Sequence, residues 1–209
     1  MNYTHKMIFD ATDHIGKQLK LGGYETDLLS AVKPYLDLSA VPVVVDVGAH
    51  YGNFAVFCCM ASPDSDVHAF EPNPDTFGYL EENAWRYGFD AYNFAVSDEF
   101  PSCSVVPGPN GNSGMSKVVE GGKIPCVYLD DMFEDEPVDI LKIDVEGHEV
   151  AVLRTAALML KNHRPVVICE AQDQEAFDAI DNHLADYGYT CTGKRYCATP
   201  TYIWEPPVL

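Results

Sequence analysis

Five short stretches of this 209-residue chain follow apolar runs and carry side chains able to bind a nucleotide or move a proton. The first is Val43-Val44-Val45-Asp46-Val47-Gly48-Ala49-His50-Tyr51-Gly52-Asn53. Its β-branched run ends in a glycine-containing turn, which predicts a buried parallel strand opening onto a helix. The second, Phe70-Glu71-Pro72-Asn73, puts Glu71 nineteen residues after Gly52, where a strand-end carboxylate takes a ribose diol in nucleotide folds. The departure from the dinucleotide pattern is informative. Counting from Gly48, the second and third glycines of G-x-G-x-x-G are replaced by His50 and Asn53. That second glycine lets backbone approach a pyrophosphate, and His50 obstructs the approach. The turn and Glu71 therefore predict an adenosine-type ligand lacking a pyrophosphate, a description that S-adenosylmethionine answers.

The remaining stretches are Ala95-Val96-Ser97-Asp98, Asp144-Val145-Glu146-Gly147-His148-Glu149 and Glu170-Ala171-Gln172. A lone acid at a strand end is as readily a helix cap or a solvated turn. Polar groups at five such ends argue for one site, because open α/β sheets bind ligands beyond the carboxyl ends of their strands.

The elements that must position these residues follow from hydrophobic periodicity. Ile8, Ala11, Ile15 and Leu19 recur at helical spacing until Gly22-Gly23. A second helix is predicted over 26–36, with Leu28, Leu29, Val32 and Leu36 inward, Thr26 as N-cap and Pro34 distorting or shortening it. Residues 1–40 thus form a helical lead-in over the mouth of a main domain, 41–209. There, strands over 43–47, 67–70 and 91–96 alternate with helices over 53–60 and 75–87. After an interruption the alternation resumes with strand 140–145, helix 150–160, strand 166–170, helix 174–187 and strands near 189–193 and 201–204. Such alternation predicts a parallel sheet covered on both faces and closed by an antiparallel hairpin. The interruption, 102–128, reads as three short strands (102–106, 115–119 and 124–128) joined by the glycine-rich 107–114 and by Gly121-Gly122. It is an antiparallel insertion with a mobile tip, either an acceptor-facing flap or a surface hairpin.

Composition narrows the function. The chain carries 32 acidic against 13 basic residues, a formal charge of -19, which disfavours non-specific binding to nucleic acid or anionic membranes. A salty habitat, a cationic partner or solubility alone would each account for it. No apolar run is long enough to span a membrane, and Met1-Asn2-Tyr3-Thr4-His5-Lys6 lacks the pattern of a signal peptide. None of the seven cysteines forms a C-x-x-C pair. Cys58, Cys59 and Cys169 read as buried thiols of a reducing compartment, so a cytoplasmic location is expected. Cys191 and Cys197 lack the spaced partners of a zinc site.

Several blocks taken together resemble the FkbM-type methyltransferases. They are Val45-Asp46-Val47-Gly48-Ala49-His50-Tyr51-Gly52, Phe70-Glu71-Pro72-Asn73, Asn93-Phe94-Ala95-Val96-Ser97-Asp98, Leu129-Asp130-Asp131-Met132 and above all Leu141-Lys142-Ile143-Asp144-Val145-Glu146-Gly147-His148-Glu149. The resemblance spans roughly 24–170. It implies the class I Rossmann-like fold, with a mostly parallel seven-stranded sheet, and O-methylation of a hydroxyl on a sugar, glycan or natural product from S-adenosylmethionine. By the same resemblance Asp46, Gly48 and Gly52, with Ala49, His50 and Asn53 in the same turn, shape the methionine pocket. Glu71, followed by Pro72 and Asn73, takes the ribose, and Ala95, Val96 and Ser97 lie near the adenine. Tyr24-Glu25 is similar to an upstream element that folds over the cofactor.

Methyl transfer from a sulfonium is an in-line displacement that needs alignment and removal of the acceptor proton. An alcohol does not ionise unaided, so a base or a metal is expected. Asp144, Glu146, His148 and Glu170 are the candidates, with His50 across the cleft. Histidine is the side chain whose ordinary pKa suits proton transfer near neutrality, which makes His148 a candidate base or else an exposed helix-start residue. Asp144, after a buried strand, would serve the cofactor's amino group or a cation, while Glu149 reads as an acid complementing a helix dipole. Asp144 and Glu146, with Glu170 and Asp173, could also offer oxygens to Mg2+. Asn112, Ser113 and Ser116 on the insertion could hydrogen-bond a polyol. Rival functions are N- or carboxyl-methylation of a small molecule or peptide, and a binding module without catalysis. His50 and Asn53 disfavour a dehydrogenase.

Overall fold

A computed structural model describes residues 6–22, 24–109 and 112–208. Met1–His5, Gly23 of the Gly22-Gly23 break, and Asn110 and Gly111 of the glycine-rich tip lie outside the described residues. The chain runs α1 (His14–Leu21), α2 (Thr26–Leu36), β1 (Val43–Val47), α3 (Asn53–Ala61), β2 (Asp66–Phe70), α4 (Pro74–Tyr87), β3 (Asp90–Tyr92) and β4 (Ala95–Val96). Then come β5 (Ser102–Val106), β6 (Lys117–Glu120), β7 (Ile124–Val127), α5 (Leu129–Met132), β8 (Ile140–Ile143), α6 (Glu149–Arg154), β9 (Val166–Glu170), α7 (Gln174–Ala185), β10 (Thr190–Cys191) and β11 (Thr201–Glu205).

The main sheet has seven strands in the order β10-β11-β9-β8-β1-β2-β3. β1 is parallel to β2 and β8, and β8 to β9, whereas β11 runs antiparallel to β9. β1 is buried on both faces because helices cover both. Val44 joins Leu28, Val32, Phe54 and Leu80 of α2–α4 on one face. Val45 and Val47 join Leu141, Leu153, Ile180 and Trp204 on the other, under α6 and α7. Strand order reverses beside β1, where the chain has moved outward to β2 and β3 and returns on the far side as β8. β1 and β8 stay paired to their carboxyl ends, and the connections that follow them leave for opposite faces of the sheet, to α3 and to α6, which opens a crevice above the pair.

Several boundaries differ from the sequence expectation for local reasons. The predicted strand 91–96 is two strands in two sheets. Asn93 donates its side-chain amide to the carbonyls of Glu71 (2.8 Å) and Pro72 (3.0 Å), which turns the chain away after β3. β4 then pairs in parallel with β7 in a second sheet of order β4-β7-β5-β6. Met115 belongs to a 3-10 turn, Ser113–Met115, and not to a strand. The strand predicted over 140–145 stops at Ile143, because Glu146 (φ 57°) and Gly147 (φ 101°) reverse the backbone. The helix predicted over 150–160 breaks after Arg154. Thr155 donates its hydroxyl to the Val152 carbonyl, and Asp130 accepts the backbone N–H groups of Leu158 and Met159 ahead of a π-helical turn, Met159–His163.

Helix α1 starts only at His14, capped by Asp13, so Ile8 and Ala11 precede it. Ile8 is instead tied to α4 through both backbone groups by Asn83. Glu25, in the left-handed conformation, occupies the N-cap position expected for Thr26. Pro34 lies in the last turn of α2, which continues to Leu36.

Candidate active site

A cavity of about 880 Å³ lies over the carboxyl ends of β1, β2, β4, β8 and β9, within the size range of small-molecule sites. Its first wall is the turn after β1. The N–H groups of Gly48 and Ala49 both donate to the Phe70 carbonyl at 2.9 Å, stitching the turn to β2. Gly48 has φ 81°, and a Cβ there would collide with the backbone carbonyl of Asp144. Gly48→Ala is expected to cost at least about 2 kcal/mol, from left-handed strain plus that clash, seen as a lower urea midpoint at constant m-value. A midpoint within error of wild type would refute the close approach. Gly52 (φ 85°) is the N-cap of α3 and packs against Leu80.

His50, between these glycines, also takes positive φ (53°). Its N–H donates to Glu71 Oε2 (2.9 Å), and its Nε2 meets the Ser113 hydroxyl of the insertion at 2.7 Å. Burial pushes its imidazole down to about 4, so it stays neutral. Glu71 also accepts the Asn73 N–H on Oε1 (2.8 Å). At 7% exposure, burial raises its carboxyl to about 7 in spite of both bonds. Asn73 caps α4 and Pro72 lines the cavity. Ala95 and Val96 line it beside Phe94, whereas the buried Ser97 faces His148.

Beneath the turn lies a buried charge cluster. Asp46 is 0% exposed and Lys142 4%. Lys142 Nζ stands 3.6 Å from Asp46 Oδ1 and 3.3 Å from Asp144 Oδ2. Neither Asp46 oxygen has a well-formed hydrogen bond among the described residues, although the Ala55 N–H and the Lys142 ammonium both act on it. Glu25 accepts the Asn53 amide at 3.1 Å, and burial raises its carboxyl to about 7. Burial works to lower the Lys142 ammonium, but Asp144, Asp46 and Glu25 together hold it well above its usual value. Asp46, Ala49, Asn53 and Lys142 surround a void of about 30 Å³ next to the main cavity.

At the far end, Asp144, Glu146 and Glu170 each bring a carboxylate oxygen within 4.8 Å of the others. Burial and mutual repulsion raise Glu146 to about 7 and Glu170 to about 9. Gln172 donates to Glu146 Oε2 at 2.6 Å. Asp173 is not in this group: its carboxylate caps α7 by accepting the Ala176 N–H, so the oxygen set that included it is corrected to three residues. His148 lines the same cavity but stands apart from the carboxylates, with Nε2 3.0 Å from Ser97 Oγ and 3.5 Å from Glu99 Oε2. Glu149 accepts the Gly147 N–H in the first turn of α6.

On the insertion, Asn112 caps the 3-10 turn, Ser113 N–H donates to Asp13 of the α1 cap (3.2 Å), and Ser116 Oγ has no partner among the described residues. Sequence reasoning assigns no role to Lys142, whose signal is a lysine inside an apolar strand. It also passes over Phe94, the loop before β11, where Ala198 and Thr199 line the cavity, and Thr201 at the start of β11.

Residues 46–191 match the family described as the methyltransferase FkbM domain. Over 133 residues the chain is 34% identical to the hexuronic acid methyltransferase AglP of Haloferax volcanii, covering 60% of this chain and 54% of that protein. Over 66 residues it is 42% identical to the 31-O-demethyl-FK506 methyltransferase FkbM of Streptomyces tacrolimicus, covering 31% of this chain and 25% of that one. The crystal structure of methyltransferase FkbM from Methylobacillus flagellatus superimposes with a TM-score of 0.62 at 15% identity, over 97% of this chain and 56% of that chain. The precorrin-6y C5,15-methyltransferase of Geobacter metallireducens shares the fold, with a TM-score of 0.55 at 16% identity over 88% of each chain. This chain spans about half the length of AglP and of the Methylobacillus protein. No helix among the described residues is long and apolar enough to cross a membrane. A sheet of class I methyltransferase type, a glycine turn packed on Asp144 and a family match over most of the chain lead to one conclusion: this chain belongs to the FkbM methyltransferase family.

Proposed function

We propose that the chain transfers a methyl group from S-adenosylmethionine to an oxygen of a sugar or other small acceptor. The observation that carries this reading is a shared cavity, in which the glycine turn and Glu71 line the same space as Asp144, Glu146, Glu170 and His148. When bound, S-adenosylmethionine supplies an electrophilic methyl on a sulfonium sulfur. Glu71 fits a ribose diol, because each of its oxygens accepts only one backbone N–H and keeps a lone pair for a hydroxyl. Asp46, Asp144 and Glu25 surround one ammonium, that of Lys142, and neither Asp46 oxygen has a well-formed hydrogen bond among the described residues. That surplus of negative charge suits a ligand carrying an ammonium and a sulfonium. Phe94, Ala95 and Val96 offer an apolar wall to a nucleobase.

At the acceptor end, the carboxylates orient hydroxyl groups and His148 takes the proton. Glu99 beside Nε2 favours the tautomer protonated there, donating towards Ser97, and leaves Nδ1 as the basic nitrogen. The relative AglP, named for hexuronic acid, supports a second acceptor oxygen, the carboxylate of a uronic acid, which needs no base.

The test is calorimetric titration with S-adenosylmethionine, then methyl incorporation from labelled donor into neutral sugars and uronic acids. Binding followed by an alkali-stable ether supports hydroxyl methylation, and an alkali-labile ester assigns the carboxylate. Absence of binding heat, or binding without turnover on either class, overturns the reading. His148→Ala is expected to lower kcat for hydroxyl acceptors about 100-fold or more, with cofactor affinity unchanged. Unaltered kcat would remove His148 from the reaction.

A further inference from the structure

We propose that Asp144, Glu146 and Glu170 bind a divalent cation of hard-oxygen preference, which holds the acceptor by two adjacent oxygens. The proposal rests on the reading of the cavity as a methyl-transfer site.

The geometry is that of a cation site. Oxygens bound at about 2.1 to 2.6 Å to Mg2+ or Ca2+ stand at most about 4.2 to 5.2 Å apart across the ion, and the three carboxylate oxygens lie within 4.8 Å of one another. Glu170 is the decisive member. It is 4% exposed, and its Oε2 is buried with no hydrogen-bond partner among the described residues. A buried carboxyl oxygen with no partner is costly, and a cation is a partner that three clustered carboxyl groups can share.

Nearby groups do not answer that need. Lys142 Nζ is engaged by Asp144 and Asp46. Gln172 donates to Glu146. Lys117, which faces the same cavity from β6, favours the charged form of Glu146 from a distance but forms no ion pair within 4.0 Å among the described residues, and it does not reach Glu170 Oε2. A hard cation supplies what is missing, and all three donors are the oxygens such an ion selects.

Three protein ligands leave about half of a six-coordinate shell open towards the cavity. Two adjacent acceptor oxygens, a vicinal diol or a carboxylate with its neighbouring hydroxyl, complete it. An anionic acceptor would otherwise meet three carboxylates, so the cation also admits acceptors of a sign the bare site repels.

A second group, Asp66, His68 and Asp90, lies at the start of β2 and β3. There His68 Nδ1 meets the Tyr92 hydroxyl at 3.2 Å, Nε2 stands 3.3 Å from Asp66 without a hydrogen bond, and both aspartates are exposed outside the cavity. It serves as the control.

The experiment is titration of the full chain with MnCl2, followed by the paramagnetic resonance of free Mn2+. One saturable Mn2+ per chain is expected. Glu170→Gln and Glu146→Gln should each weaken it by about ten-fold or more, with near-ultraviolet circular dichroism and S-adenosylhomocysteine binding as in wild type. Asp66→Asn should leave it unchanged. Absence of saturable binding, binding indifferent to Glu170→Gln, or loss on Asp66→Asn overturns the proposal. Mn2+ binding without any heat from S-adenosylmethionine would sustain the cation site and sink the methyl-transfer reading, so the two fail separately.

Discussion

Lys142→Met lowers the stability of the chain by about 3 to 5 kcal/mol, the loss expected when one partner of a buried ion cluster is removed. Lys142 sits in the central strand beside β1, within 3.6 Å of Asp46 and 3.3 Å of Asp144, and it offsets Glu25 as well. Methionine keeps the volume and the packing on Phe54, over whose ring the ammonium lies, but leaves Asp46 fully buried and uncompensated. The expected readout is a Tm lower by about 10 °C, at about 2 to 4 °C per kcal/mol for a chain of this size. Lys142→Met with Asp46→Asn should recover a substantial part of the loss, since the second change removes the orphaned charge. A single variant within about 1 kcal/mol of wild type, or a double variant no better than the single, would show that the cluster is not held by this ammonium.

The second large effect falls on the cofactor. Glu71→Gln should weaken S-adenosylmethionine binding about 10- to 100-fold, since on the proposed reading glutamine keeps one acceptor for the ribose diol and loses one charge-assisted hydrogen bond, worth about 1.5 to 3 kcal/mol. Glutamine also turns an amide NH2 towards one of the backbone N–H groups, His50 or Asn73, that the carboxylate accepts. Calorimetry checks the figure, and an unchanged Kd would detach Glu71 from the ribose.

The same substitution has a signature in the ligand-free protein. Burial raises Glu71 from 4.5 to about 7, so its protonated form is favoured in the folded state. The stability this contributes is present below about pH 4.5 and is lost as pH rises through 7. The wild-type Tm should therefore fall between pH 5 and 8, with Glu71 responsible for up to about 3 kcal/mol. Glu71→Gln should show a shallower slope, the remainder belonging to Glu25 and Glu146, which are also raised to about 7, and to Glu170, raised to about 9. Identical slopes would contradict the burial of a titrating Glu71.

What is legible in the residues is whatever a strand and its own turn decide. β1, its glycine turn and Glu71 are readable because a run of valines, a positive-φ glycine and a strand-end acid are local signals. The carboxylates after β8 and β9 are readable as strand ends, and the structure brings them together because those strands are neighbours. What is not legible depends on partners distant in sequence. Asn93 splits a strand only because it reaches the carbonyls of Glu71 and Pro72. Asp173 resembles a ligand until its helix claims it as a cap. Lys142 looks misplaced in an apolar strand until Asp46, Asp144 and Glu25 surround it. The loop before β11 carries no motif, and its residues reach the cavity through the antiparallel return of β11 along β9.

The parallel pairing of β4 with β7 bears on engineering. Ala95 and Val96, which line the cavity where we propose the nucleobase lies, also form the ladder with Cys126 and Val127 at the base of the insertion. A graft that exchanges only 102–128 for the equivalent piece of a relative would splice a foreign β7 onto a resident β4. Changing which acceptor is welcomed would then disturb how tightly the nucleobase is gripped. The piece to transplant is 94–128, and on the proposed reading selectivity and donor affinity are inherited together.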